Sequence, residues 1–283
     1  AITFAVMLFG IQGGIEKMNK VMIPLFYALF LILAVRVFTL GNASAGYRYL
    51  FVPDWSALLQ VKTWVYALGQ AFFSLSLAGT GTVVYGSYLR EDQDIPASAR
   101  TIALFDTLAA LLAALVIIPA VFAYGLDPAS GPPLMFITMP TVFQQMPGGS
   151  VFMIVFFVAV LLAALTSLVN LFETPIEALQ TYFGLGRKPA VGIVAAVSAA
   201  VGVCIEGIVS SWMDVCSIYL CPLGALMAAV MLFWVCGSKY AREHAQRGAA
   251  RPLGKWFEPA GKYVFCGVTL LVLVLGILYG GIG

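Results

Sequence analysis

Charge is what this 283-residue sequence has least of. Asp, Glu, Lys and Arg make up 10% of it against 61% hydrophobic residues, and its mean hydropathy is +0.98. A water-soluble domain carries roughly 25% charged residues, so lipid is the solvent for most of this chain. Histidine is almost missing: His244 is the only one, and it sits in a basic loop where water solvates it. With no Ser/His/Asp set, no metal-ligand spacing and no phosphate-binding loop, the motifs of the common enzyme classes are excluded. The five cysteines (Cys204, Cys216, Cys221, Cys236 and Cys266) lie in or beside apolar stretches with no CxxC spacing, and read as small packing residues. A net charge of +2 gives no footing for a nucleic-acid partner. The opening run AITFAVMLFG has neither an initiator Met nor the basic region of a signal peptide, so it reads as the tail of a membrane helix.

What is present is a series of apolar runs, each near the roughly 20 residues that span a bilayer core. After the tail at 1–12 they fall near 22–40, 61–89, 97–124, 151–181, 190–209, 211–236 and 262–282. Strict alternation, with the loop after residue 12 inside, places every Lys and Arg on the cytoplasmic side except Arg36, Arg48 and Lys62. That is the asymmetry the positive-inside rule requires. The connection 125–150 is too apolar for a plain linker and is expected to form a short helical hairpin that dips back into the protein.

Polar groups within these runs need a reason. Residues 69–89 read GQAFFSLSLAGTGTVVYGSYL, with Ser74, Ser76, Gly79, Thr80 and Gly81 at the centre. Two readings stand: a helix break that bares backbone for a binding cavity, or a small-residue face for close helix packing. Asp106 lies ten residues into the next run, where a carboxylate is protonated, paired with an arginine, or partnered by a bound cation. Along 151–181, Ala163, Thr166, Ser167, Asn170, Thr174 and Glu177 recur at steps of three and four and share one helix face, with Glu173 beside it. Thr166 and Ser167 can also simply bond back to their own helix.

These motifs resemble the neurotransmitter:sodium symporter family, which includes the bacterial leucine transporter. The resemblance rests on GQAFFSLSL followed by the Gly-rich stretch and YGSYL, then REDQDI (90–95), ALTS (164–167) and Met213-Asp214 before an apolar run, all in family order. It implies an all-α membrane protein, a partial LeuT-type inverted-repeat bundle running from the end of helix 4 through helix 11. On that reading residues 1–283 are a single transmembrane domain, the C-terminal part of a longer protein, with helices 1–3 missing. The implied activity is sodium-coupled import of an amino acid or related zwitterion across a cell membrane, the bacterial inner membrane for a bacterial member. The rival readings are a transport-inactive sensor or structural subunit, and a membrane enzyme whose catalytic residues lie in the missing helices. Oligomeric state is left open, a homo-oligomer included.

By the same resemblance, Ser74 and Asp106 are ligands of a first sodium ion, Asp106 standing where the family has Asn. Ala163 (through its carbonyl), Thr166 and Ser167 are ligands of a second. Phe73, Ser74, Ser76, Gly79, Ser167 and Leu171 line the substrate pocket, with Phe73 as its lid. Gln70 and Asp214 belong to an outer gate, Ser87 and Tyr88 to an inner one. Three departures matter. Gln180 and Thr181 stand where an inner-gate Asp is usual, Gly79 where an aromatic residue or Met is common, and Ala110 where the bacterial leucine transporter has a carboxylate. Asp106 supplies that missing negative charge, so chloride is not expected as a cofactor. Gly79, with Ala78 beside it, leaves room in the pocket. Competition assays are therefore expected to rank Trp, Phe, Tyr or Leu above Gly and Ala; Gly or Ala competing best would show the space to be refilled from elsewhere.

Overall fold

The computed structural model describes residues 2–77, 81–128 and 134–279, with the side chains of Ile11, Gln12, Ser210, Asp214, Ser217 and Ile218 outside that description. Every regular element among the described residues is helical. Among the described residues five helical stretches are long and apolar enough to cross a membrane: Gly13–Phe38, Ile95–Ala123, Gly149–Phe183, Arg187–Cys204 and Phe257–Leu278. Cys221–Val235 and the short polar helix Ser238–Ala245 make a sixth only when taken together, bent by 102° with Gly237 at φ 97° in the corner. This is an all-α membrane protein.

Of the two readings of the run 61–89 the structure shows the break: the helix Val61–Ser74 ends in a turn at Leu75–Leu77, and a second helix runs Gly81–Ser87. The connection 125–150 differs from its expectation. Within 125–150 the described residues form no hairpin. They make one short helical piece, Leu134–Thr138 continued by Met139–Gln145. Met139, Val142 and Phe143 carry it into the core, and burying an apolar side chain of this kind stabilises by about 1.5–3 kcal/mol. A lone buried stripe at helical spacing needs no second arm to cover it.

The chain divides into two compact units. The first comprises residues 1–54, 107–172 and 179–195. Its core packs Phe30, Leu33 and Val37 with Val116, Ala120 and Val121, the Met139–Phe143 stripe, Phe156 and Ala159. Gly148 and Gly184, both left-handed, bound the 35-residue helix Gly149–Phe183, a conformation that costs glycine nothing. Arg187 at the start of the next helix donates from Nε to the Met7 carbonyl at 2.8 Å. Gly46 lies so close to the helix Ile95–Ala123 that an added Cβ would stand 2.4 Å from the Pro119 Cα.

The second unit comprises residues 55–106, 173–178 and 196–283. Phe72, Ala225 and Val272 form its small core, with Phe265 against Phe72 at 5.8 Å. Asp94 precedes the helix Ile95–Ala123 and accepts the Ala97 N–H at 2.9 Å, a helix cap. Its other oxygen accepts the Ala250 N–H at 2.9 Å. These two bonds hold the carboxyl below its ordinary range, Ala250 contributing most. A depressed carboxyl stabilises the fold above its unfolded pKa and loses that effect as pH falls through its folded one, so the loop stays docked at neutral pH.

Backbone stands against backbone at Gly46, so no side chain there can swing aside. Gly46→Ala is expected to lower stability by about 1–3 kcal/mol, read as a lower melting temperature in detergent. Gly41→Ala, with nothing within 4 Å of the new atom, is the control and is expected to change little.

Candidate functional site

The break after Ser74 is a complete helix ending. The Leu77 N–H reaches back to the Phe72 carbonyl at 3.2 Å, and the Ser76 N–H to the Phe73 carbonyl at 3.0 Å. This pair of bonds is the Schellman motif, which requires a left-handed residue between helix and exit. Ser76 supplies it at φ 53°, the one such non-glycine residue among those described. Glycine normally holds this position, because a Cβ costs roughly 1–2 kcal/mol there. The chain therefore ends its helix ahead of the glycines that the sequence offers. Its carbonyls are satisfied locally, as a backbone without water around it demands.

Ser74 is the last residue of the first half-helix, and its position fixes what its side chain meets. Its hydroxyl donates to the Asp106 carboxylate, 2.7 Å from Oδ1 and 2.8 Å from Oδ2. Asp106 is half-buried on the helix Ile95–Ala123. A serine hydroxyl has one proton and two lone pairs. With the proton committed to Asp106, both lone pairs and the remaining carboxylate sites can accept a cation. An all-oxygen, singly charged donor set suits a hard ion rather than a soft metal.

Other expected residues fall into place by segment. Phe73, 50% exposed, and Ser76 flank Ser74 in the second unit, and Gln70 is exposed one turn earlier. The Ser76 carbonyl receives a long hydrogen bond from the Thr82 hydroxyl at 3.5 Å. Gly79 lies outside the described residues. In the first unit, Ala163, Thr166, Ser167 and Leu171 follow one another along Gly149–Phe183, Leu171 being 59% exposed. The Thr166 hydroxyl donates back to the Ala163 carbonyl at 2.8 Å, which brings two of the expected ligand oxygens side by side. Ser167 is exposed. Asp214 belongs to the helix Val209–Val215, and its side chain lies outside the description.

Tyr88 has partners that the residue assignments above missed. Its hydroxyl donates to Glu177 Oε2 at 2.9 Å, with Glu173 Oε1 at 3.4 Å. Glu173 is fully buried. The second half-helix packs on the same stretch, since a Cβ on Gly81 would lie 3.6 Å from the Thr174 hydroxyl. Two carboxylates one turn apart in a membrane helix were the signal; their link to Tyr88, 85 and 89 residues away, was not visible in the sequence. Ser87 turns its hydroxyl to its own helix, onto the Val84 carbonyl at 2.6 Å.

Comparison with known proteins shows the family and the fold. The family model described as the sodium:neurotransmitter symporter family matches residues 1–279. The uncharacterized sodium-dependent transporter YhdH of Bacillus subtilis is 44% identical over 173 residues, 61% of this chain and 38% of that protein. The uncharacterized sodium-dependent transporter MJ1319 of Methanocaldococcus jannaschii is 32% identical over 263 residues, 88% of this chain and 54% of that one. This chain thus spans about half the length of such relatives or less. A crystal structure of MhsT in complex with L-phenylalanine superposes with a TM-score of 0.86 at 32% identity, covering 97% of this chain and 66% of MhsT. The chain is a member of the sodium:neurotransmitter symporter family, with that family's multi-pass membrane fold.

Proposed function

We propose that this chain is part of a sodium-coupled symporter that imports an amino acid, or a related zwitterion, by alternating access. The observation that carries the reading is the Ser74–Asp106 contact at the helix break. An uncompensated carboxylate at membrane depth costs about 2.5–3.5 kcal/mol on insertion scales. A hydrogen bond to a charged group contributes about 1.5–3 kcal/mol, which roughly offsets that cost without exceeding it. A cation about 4 Å away adds about 4 kcal/mol at an effective dielectric of 20. Sodium binding thus turns a balanced site into a favourable one.

Coupling follows from linkage. Sodium at Ser74 and Asp106 favours the state that also accepts the substrate carboxylate, and substrate raises sodium affinity by the same factor. Ala163, Thr166 and Ser167 are proposed to hold a second sodium. Phe73, Ser76, Gly79, Ser167 and Leu171 are proposed to line the pocket, with Gln70 and Asp214 closing it from outside. The complex that MhsT forms with L-phenylalanine, together with the small residues Ala78 and Gly79, supports a bulky apolar or aromatic substrate. On the inner side, Tyr88 bonded to Glu177 is proposed as the closing contact in place of the ion pair that Gln180 and Thr181 do not offer. Chloride is left out, because Asp106 provides the negative charge that a bound anion supplies elsewhere.

Phenylalanine uptake by the complete transporter in proteoliposomes tests the reading. Accumulation is expected with an inward sodium gradient and not with potassium in its place; equal uptake in both would refute coupling. Asp106→Asn is expected to raise the sodium concentration for half-maximal uptake at least tenfold, or about 1.4 kcal/mol, with chloride restoring part of the loss. Ser74→Ala is expected to do less. Replacing chloride by gluconate should leave the wild type unchanged, and a collapse of its uptake there would remove the chloride-free part of the proposal.

A further inference from the structure

The polar helix Ser238–Ala245 is followed by a basic loop containing Arg247, Arg251 and Lys255. Instead of trailing into water, this loop lies against the first turn of Ile95–Ala123. Asp94 holds it through the Ala250 N–H. At Gly248 the backbones approach so closely that a Cβ would stand 2.4 Å from the Gln93 carbonyl oxygen. The segments do not close completely. Between them is a recess of about 370 Å³, whose walls include Arg100, Arg251, Asp94, Leu253 and Trp256.

Its charge is unbalanced. Arg242 is paired with Glu258 at 3.1 Å and Arg90 with Asp92 at 3.0 Å. Neither Arg100 nor Arg251 has an ion pair among the described residues. The one carboxylate in the wall, Asp94, already accepts two backbone N–H groups and acts on Arg100 only through space. Two guanidinium groups facing one cavity present the forked donors that phosphate oxygens take in pairs.

The position of the recess narrows the source of that phosphate. It lies at the start of two membrane-crossing helices, Ile95–Ala123 and Phe257–Leu278. Trp256, 66% exposed, stands beside the second of them, as tryptophan does at the height of lipid headgroups. Leu253 and Trp256 give the walls apolar surface, which an inorganic ion has no use for and the acyl chains of a lipid do. The charge bias puts this surface on the cytoplasmic side, where anionic lipids attract basic segments.

We infer that the recess is a binding site for the phosphate headgroup of an anionic phospholipid, held between Arg100 and Arg251 with Trp256 at the rim. The site is separate from the hydrogen bond between Ser74 and Asp106, and its occupancy does not require the transport reading to hold. Native mass spectrometry of the complete protein, released from nanodiscs of phosphatidylglycerol or of phosphatidylcholine, tests it. The wild type is expected to retain one phosphatidylglycerol and no phosphatidylcholine. Each Arg→Gln change should cut retention about fivefold and the Arg100→Gln/Arg251→Gln pair roughly thirtyfold, from the usual worth of one cation near an anionic surface. Both side chains are exposed, so an unchanged melting temperature will show that the fold survives, and Lys62→Gln should retain lipid like the wild type. Equal retention by the double variant, or displacement of the lipid by millimolar inorganic phosphate, would overturn the proposal.

Discussion

Everything in this structure follows from the absence of water around its backbone. In lipid each N–H and C=O must find a partner within the chain, which leaves the helix as the default and makes any interruption expensive. The interruption after Ser74 is tolerated because the ending is closed on itself, Leu77 to Phe72 and Ser76 to Phe73. Only a helix that stops there can present Ser74 to the Asp106 carboxylate instead of to its own next turn. The same rule bears on three polar side chains that find partners within the protein: Ser74 with Asp106, Thr166 with the Ala163 carbonyl, and Tyr88 with Glu177.

Much of this was legible in the sequence because membrane helices are written in composition. Long apolar runs mark the spans, and the loops between them carry the basic residues. A carboxylate such as Asp106 in an apolar run announces a partner even before the partner is known. The break itself was legible as a cluster of small residues. Its mechanism was not: the glycines at 79 and 81 drew attention, whereas Ser76 takes the left-handed turn. Local propensity ranks Gly far above Ser for that role, and the helix-ending bonds outweigh it.

What stayed hidden was long-range. Nothing in periodicity pairs Tyr88 with a carboxylate 89 residues on, or Asp94 with a backbone amide 156 residues on. Such contacts are set by how helices pack, and a sequence read in windows of one or two turns has no access to that. The piece at 134–145 failed for a different reason. Its apolar content correctly indicated burial, but one amphipathic stripe and a hairpin of two differ in geometry, not in composition.

The two bonds of Asp94 have a mechanical meaning. One oxygen starts a helix and the other grips a loop, so the loop is fastened to the helix's first turn and not merely to the body of the protein. Should that turn tilt, the loop must swing with it or let go. The far end of the chain thus carries a pointer on the aqueous surface, whose bearing is set by a helix that itself lies in lipid.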